Sequence, residues 1–269
     1  MPKPRSLKFN RFQAFLVGLF IGAALFSLPL AHTFSPFEFS HARFGQPSAL
    51  EGNFPLPTSA PVITHKEYTL AYDGKNRNPL WVYRTLTPAI FEKEASRELS
   101  SFKEDPQIPE HIRATNKDYE GSGFDRGHLA SALDSSSSQE ALDESFLLSN
   151  IAPQAPQFNR GYWKKLEGHL RQLVEDHQLV HVFTGPLYLP GKAQGGKRFV
   201  RYQVIGDSCV AVPTHFFALI FIETSAHQLL SQAFILPNQA ISAEIPLDKF
   251  ASSVEEVESA SGILFSETR

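Results

Sequence analysis

The sequence predicts an α+β domain with a central, mainly antiparallel sheet flanked by helices. Four β-type runs follow one another between residues 179 and 238, a hairpin pattern precedes them, and one amphipathic helical pattern lies mid-chain. Strands separated mainly by turns pair as antiparallel neighbours, because a parallel pair needs a long crossover connection. The chain contains no internal repeat.

The first 36 residues predict a targeting or membrane segment. Four basic residues among the first eleven precede an uncharged run of 20 residues from Phe12 to Ala31. About 20 apolar residues in a helix span the roughly 30 Å of hydrocarbon in a bilayer. A membrane anchor, a mitochondrial presequence and a cleaved secretory signal all fit this pattern, whereas a core helix fits poorly at a terminus. Residues 37–62 are interpreted as a Pro-rich linker, and residues 63–269 as the folded domain.

Within that domain, EYTLAYD and PLWVYRTL predict a hairpin around the polar turn GKNRN. Thr87 as N-cap and Pro88 at the first helical position predict a helix to about Leu99. FLLSNIAP indicates a short strand, and apolar residues at helical spacing predict a helix from Tyr162 to about Asp176. Four strands are predicted for LVHVFTGP, FVRYQVIG, CVAVPTHFFALIFIE and QAFILPN, and a last helical stretch for residues 247–261.

The charge of the predicted domain limits how it can bind nucleic acid. Residues 1–36 carry four of the 25 basic residues and none of the 28 acidic ones, so the remainder has a formal charge of −7. A protein that coats nucleic acid has a basic surplus, so any such contact here must be a local groove. Cys209 is the only cysteine, which excludes an intrachain disulfide and a cysteine-rich zinc site, and its β-type surroundings predict a buried thiol.

The first candidate cluster is GSGFDRGHLA, residues 121–130, a glycine-rich stretch in which backbone can approach a ligand closely. His128 can titrate near neutral pH, although a lone histidine is more often a packed or surface residue. Arg126 adds a group suited to phosphate. Asp125 is expected to be structural, bonding local backbone or a neighbouring cation.

The second cluster lies in SNIAPQAPQFNRGYWKKLEGHLRQL, where Asn159, Trp163, Glu167 and Arg171 recur at intervals of four. Each interval advances only about 40° around a helix, so the four share one side. Trp163 is expected on the apolar face, with Glu167 and Arg171 on its flank, able to project into a groove. Taken alone, this cluster is explained as well by an ordinary surface ion pair.

Together the two clusters contain the groups that hydrolysis of a phosphodiester requires. A histidine can take a proton from water at the moment of attack. Mg²⁺ keeps several waters and needs few protein ligands, so one asparagine oxygen can hold it where phosphate oxygens supply other ligands. Arginine binds phosphate in a bidentate manner and stabilises the charge that grows in the transition state.

These motifs, together with VFTGPLYLP, YQVIG, VAVPTHFF and LPN, resemble the DNA/RNA non-specific endonucleases of the ββα-metal fold, and within that family its mitochondrial branch most closely. The resemblance covers roughly residues 63–266. It implies a six-stranded antiparallel sheet flanked by helices, with the catalytic histidine on a strand and the metal-binding asparagine on the facing helix. Ser131 departs from the Pro or Ala that relatives often have after HLA, and this change is expected to leave the chemistry unaffected.

The resemblance also implies roles for individual residues. His128 is the expected general base, and Asn159 is the expected direct ligand of a single Mg²⁺, with Mn²⁺ possible. Glu167 is expected to orient water at the metal, and Arg126 and Arg171 to contact phosphate.

Two further residues match the family less firmly. Asn150 corresponds to an asparagine that supports the site, with loop capping as an equal alternative. Arg77 is a loose match to a further phosphate-binding arginine.

By the same resemblance, the expected partners are DNA and RNA, cleaved to products with 5′-phosphate ends, and a second copy of the chain in a homodimer. The expected location is the mitochondrial intermembrane space or inner membrane, with the bacterial periplasm, a membrane-anchored form or secretion as alternatives. Two other functions stay open: a catalytically silent, membrane-tethered nucleic-acid-binding protein, and a phosphodiesterase of small nucleotides. The chain lacks G-x-S-x-G and H-E-x-x-H, which disfavours a serine hydrolase and a zinc protease.

Overall fold

The computed structural model describes residues 62–193, 195–224 and 229–265. Its strands in chain order are β1 (Val62–Thr64), β2 (Thr69–Asp73), β3 (Asn78–Leu86), β4 (Asp125–His128), β5 (Ile151–Gln154), β6 (Val180–Leu187), β7 (Val204–Ile205), β8 (Val210–Ala211), β9 (His215–Glu223), β10 (Leu229–Pro237) and β11 (Ala251–Ser252). The helices are α1 (Asn116–Tyr119), α2 (Gln139–Ser145), α3 (Lys164–His177) and α4 (Val254–Ser261). A π-helical turn, Phe158–Trp163, leads directly into α3.

Seven strands form the central sheet in the order β1-β2-β3-β6-β9-β10-β11. Every neighbouring pair in that sheet is antiparallel. Two smaller antiparallel ladders, β4 with β5 and β7 with β8, lie outside it. The α+β prediction with an antiparallel sheet is confirmed, and the expectation of six strands is wrong by one.

The side chains of β9 show why both faces of the sheet are covered. Phe216, Ala218 and Ile220 pack in one core with Leu166 and Leu170 of α3. The residues that alternate with them along β9 pack in a second core with residues of α4, β3 and β6. This second core contains Phe217, Leu219, Phe221, Trp81, Phe183, Val254 and Val257. Because side chains alternate across a strand, a continuous apolar run serves two layers.

The hairpin of β2 and β3 is confirmed, but the predicted helix from Pro88 to Leu99 is wrong. Only two short 3₁₀ turns form there, Pro88–Phe91 and Arg97–Leu99. Between them the backbone N–H groups of Glu94 and Ala95 both donate to the Ser136 carbonyl oxygen, at 3.0 and 3.1 Å. These tertiary hydrogen bonds take the donors that a continuous helix would need.

The strand predictions around Cys209 are also corrected. FVRYQVIG contributes only the two residues of β7, and CVAVPTHFFALIFIE divides into β8 and β9. Pro213 separates these two strands, since proline cannot donate to a ladder. Cys209 is exposed, not buried, because it occupies a turn with φ of 57°.

The helix at the centre of the chain begins earlier than its apolar pattern predicts. Helical conformation starts at Pro156, six residues before Tyr162, and the π-helical turn Phe158–Trp163 follows. The run FLLSNIAP contains a 3₁₀ turn, Leu148–Asn150, and becomes extended only from Ile151.

The predicted leader, residues 1–36, and almost all of the predicted linker lie outside the described residues. Among the residues that the structure does describe, no helix is long and apolar enough to cross a membrane.

Candidate active site

The GFDRGHLA motif forms β4 and the residues that follow it, and close packing explains why the motif contains Gly127. Gly127 is buried opposite β5, where a Cβ atom added to it would lie 2.2 Å from the side chain of Gln154. No real pair of such atoms approaches that closely, so a larger residue at this position would force the buried Gln154 side chain to move.

The backbone around His128 is fixed by hydrogen bonds on both sides. The Trp163 indole donates to the His128 carbonyl oxygen at 3.0 Å, which ties the helix to the strand. The Leu129 N–H donates to the carbonyl oxygen of Asn150 at 3.0 Å, and the Ala130 N–H to its side-chain oxygen at 2.8 Å. Asn150 thus braces the exit of β4, and it does not line the site.

The imidazole of His128 packs against two aromatic rings that also contact each other. The centroids of Phe102 and Phe146 are 5.4 and 4.8 Å from that of the imidazole. Burial, and secondly the charge of Arg97, lower the pKa of His128 to about 3. Its Nε2 is buried and has no hydrogen-bond partner among the described residues. The ring is therefore neutral near pH 7 and free to accept a proton.

Asn159, on the π-helical turn, faces β4 and is held by Asp125. Its Nδ2 donates to the Asp125 carboxylate at 2.9 Å, which leaves Oδ1 as the oxygen available to a cation. Arg160 donates to both oxygens of the same carboxylate, at 2.8 and 2.7 Å. Burial acts to raise the pKa of Asp125, but the hydrogen bonds from Arg160 and Asn159 outweigh it and lower the pKa. The structural role expected for Asp125 is confirmed.

Glu167 lies further along the helix in a largely desolvated position. Burial, and then the nearby charge of Asp134, raise the pKa of Glu167 to about 7. Arg171, a hydrogen bond from Ser131 and the charge of Arg84 act in the opposite direction. A cation beside this carboxyl would favour its ionised form.

The two predicted phosphate-binding arginines are both restrained. Arg126 donates to the carbonyl oxygen of Asn116 at 2.7 Å, and its guanidinium lies 5.5 and 5.2 Å from the ring centroids of Phe102 and Tyr119. Arg171 donates to the Asp134 carboxylate at 2.8 Å. Restrained guanidinium groups lose less entropy when they bind an anion.

The five predicted site residues line one cavity of about 550 Å³. They are Arg126, His128, Asn159, Glu167 and Arg171. Arg97 and Lys164 also line it, so four cationic side chains face two acidic ones, Asp125 and Glu167. The chain is acidic overall but contains a locally basic groove, the kind of nucleic-acid contact to which its composition restricts it. Arg77 does not line this cavity, and its guanidinium instead donates to the His111 carbonyl oxygen.

Sequence reasoning missed Arg97 and Lys164. Lys164 precedes Glu167 by three residues and Arg171 by seven, so helical spacing alone could have placed it beside them. Arg97 offered no such signal, because it lies in the segment predicted as a helix to about Leu99 and reaches the site only in the folded chain. Its guanidinium lies 5.2 Å from the Phe146 ring, next to His128.

A single hard cation fits this set of groups. Mg²⁺ prefers oxygen ligands, and the Asn159 amide oxygen and the Glu167 carboxyl line the same cavity. The described residues contain no cluster of three or more His, Cys, Asp or Glu side chains that could hold a metal. An asparagine oxygen supplemented by water and phosphate oxygens is the coordination that these residues support.

The fold and the site define the class of protein. A strand-borne histidine opposite a helix-borne asparagine, beside a large antiparallel sheet, is the arrangement of a ββα-metal nuclease. In agreement, the sequence model described as DNA/RNA non-specific endonuclease matches residues 46–269. The chain therefore belongs to the DNA/RNA non-specific endonuclease family.

Individual relatives agree with this assignment. Human "Endonuclease G, mitochondrial" is 44% identical over 210 residues, which are 78% of this chain and 71% of that protein. "Nuclease C1" of Cunninghamella echinulata var. echinulata is 41% identical over 86% of this chain and 89% of its own length. A solved structure entitled "Crystal structure of the EndoG/EndoGI complex: Mechanism of EndoG inhibition" has a TM-score of 0.78 and 41% identity, covering 80% of this chain and 90% of that one.

Proposed function

We propose that this chain is a Mg²⁺-dependent endonuclease that hydrolyses phosphodiester bonds of both DNA and RNA, with Mn²⁺ as an alternative metal, and leaves 5′-phosphate ends. The observation that carries the proposal is the convergence of His128 from β4 with Asn159, Glu167 and Arg171 from the facing helix in one basic cavity. Family membership in a group of nucleases supports it.

His128 is the general base in this proposal. Its neutral ring can take a proton from the attacking water while the water oxygen bonds to phosphorus and the bond from phosphorus to the 3′-oxygen breaks. The 3′-oxygen takes a proton from solvent and leaves as a hydroxyl, and the phosphate stays on the 5′-oxygen. A pKa near 3 makes a weak base, but the negative charge of a bound phosphodiester favours the imidazolium and raises the pKa in the complex.

The remaining groups position the phosphate and stabilise charge. Arg126 and Arg171 donate to phosphate oxygens. Asn159 would hold the cation, and Glu167 would orient the water around it. A divalent cation, when bound, supplies positive charge for the phosphate and for the departing 3′-oxygen. All these contacts are to the backbone of the substrate, so cleavage depends little on base sequence.

The wider biological setting is proposed by resemblance. The names of relatives place human endonuclease G and a Schizosaccharomyces pombe nuclease in mitochondria, which supports a mitochondrial location for this chain. We propose the intermembrane space or inner membrane, with residues 1–36 as the targeting or membrane segment and residues 63–269 as the nuclease domain. A homodimer is proposed on the same basis.

The test uses supercoiled plasmid and single-stranded RNA, each incubated with the protein in Mg²⁺, in Mn²⁺ and in EDTA. Cleavage of both polymers that EDTA abolishes is the expected result, with 5′-phosphates on the fragments. Excess dinucleotide substrate is added in a parallel reaction, because a phosphodiesterase of small nucleotides would be strongly inhibited by it. Binding of both polymers without cleavage would favour the silent binding protein instead.

The role of Asn159 is tested separately by binding of Mn²⁺, followed by its electron paramagnetic resonance signal. Asn159→Ala removes the amide oxygen and is expected to weaken Mn²⁺ binding on the order of 10-fold or more. Gln157→Ala, an exposed change two residues away, is the control and should leave binding intact. Equal Mn²⁺ affinity in Asn159→Ala and the wild type would contradict the assignment.

A further inference from the structure

Beneath the candidate active site lies a buried arginine that none of the proposed chemistry uses. Arg84, on β3, is almost fully buried, and its guanidinium donates to the carbonyl oxygens of Ser131 at 3.2 Å and Asp134 at 2.9 Å. Glu67 lies 3.9 Å from the same guanidinium. Arg84 thus fixes both ends of a short backbone segment, residues 131–134, that follows the exit of β4.

The side chains of that segment reach the helix that carries two site residues. Asp134 is 2% exposed, and its carboxylate accepts a hydrogen bond from Arg171 at 2.8 Å. The Ser131 side chain lies close enough to the carboxyl of Glu167 to lower its pKa. Glu167 and Arg171 lie one helical turn apart, and Ser131 lines the active-site cavity together with both.

The pairing of Asp134 with Arg171 differs from a surface salt bridge. A free arginine samples many rotamers, and ordering it on an incoming phosphate costs entropy. A buried carboxylate fixed from below removes that cost before the substrate arrives. The hydrogen bond to Asp134 uses Nη1, and the other donors of the guanidinium fork can serve a phosphate.

We propose that Asp134, held in place by Arg84, is a positioning residue that orients Arg171 toward the substrate phosphate. The inference rests on the proposed nuclease function, because it assigns Arg171 a phosphate to bind. Asp134 itself touches no reacting atom.

A double-mutant cycle tests this inference in the full-length protein with plasmid as substrate. Asp134→Asn keeps the shape of the side chain and removes its charge, and it is expected to lower kcat/KM on the order of 10-fold, mostly through kcat. In the Arg171→Ala background the same change should alter kcat/KM by less than about 2-fold, because the residue it positions is gone. Asp207→Asn, which breaks the exposed pair with Lys117, is the control and should leave cleavage unchanged.

An effect of Asp134→Asn that is equally large with and without Arg171 would overturn the inference, since it would show that Asp134 acts through the fold or through the charge of Glu167 and not through Arg171. The absence of any effect would also overturn it. If the wild type cleaves no nucleic acid, the proposed function fails first, which is a distinguishable result.

A second measurement reports on the wild-type protein and needs no turnover. Nitrogen NMR of the wild type reports rotation of each guanidinium group, with Arg171→Lys used to assign the signal. Rotation of the Arg171 group should be slow compared with that of the exposed Arg198. Rotation as fast as that of Arg198 would show that Asp134 does not restrain Arg171 and would contradict the inference.

Discussion

The two walls of the active site are fixed in different ways. On the strand wall, which β4 forms, His128 is positioned through the backbone: Trp163 donates to the His128 carbonyl oxygen, and the N–H groups of the next two residues, Leu129 and Ala130, donate to Asn150. On the helix wall, Asn159 and Arg171 are positioned through side chains that bond to Asp125 and Asp134. The strand wall should therefore respond to changes in packing, and the helix wall to changes in charge and pH.

The largest effect is expected from a change in packing of the strand wall. Gly127→Ala places a methyl group 2.2 Å from the Gln154 side chain and should lower the free energy of unfolding by about 1–3 kcal/mol, with loss of cleavage as β4 shifts. Thermal unfolding and plasmid cleavage measure the two effects.

Gly161→Ala is the matched control, because a Cβ atom at that position meets nothing within 4 Å. Adding Gln154→Ala to Gly127→Ala should restore part of the stability by making room. Equal stability of Gly127→Ala and the wild type would show that β4 is not held as described.

An effect of charge is expected on the helix wall, from Asp125→Asn. The lowered pKa of Asp125 means that its ionised form stabilises the fold fully above the unfolded-state pKa of about 4, and that this stabilisation is lost as pH falls through the lowered folded-state pKa. The difference in free energy of unfolding between wild type and Asp125→Asn should therefore be largest near neutral pH and shrink in acid. Urea unfolding at several pH values measures it, and a difference that grows in acid would contradict this reasoning.

The smallest effect is expected from Trp163→Phe, which removes the hydrogen bond between the walls and keeps most of the packing. Loss of the indole donor to the His128 carbonyl oxygen should cost about 1 kcal/mol of stability and reduce cleavage only modestly. Thermal unfolding with a parallel cleavage assay measures both. A loss of cleavage as large as that of Gly127→Ala would mean that the two walls are not held independently.

The same contrast explains how far sequence could predict this molecule. Residues with a local signature, such as Glu167 and Arg171 at helical spacing and the DRGH motif of β4, were predicted to meet in a groove, and they line one cavity. Arg97 was not, because the segment around it is shaped by hydrogen bonds to Ser136, far along the chain. The prediction of a buried Cys209 was wrong for a related reason, since β-type composition does not reveal a turn with a positive φ.

The π-helical turn is a further feature that spacing could not reveal. An interval of four from Asn159 to Trp163 fits an α-helix, yet the turn there is wider. Such turns occur often at functional sites, and this one carries Asn159 opposite β4. Periodicity thus selected residues that do line the cavity, but it predicted an α-helix where the structure has a π-helical turn.

The most direct test of the central claim is the rate of plasmid cleavage by His128→Ala at saturating Mg²⁺. Loss of a general base should lower kcat by about 10²- to 10⁴-fold while the protein stays folded. His111→Ala, an exposed histidine outside the cavity, should cleave as the wild type does. Cleavage by folded His128→Ala at the wild-type rate would contradict the assignment of His128 as the base.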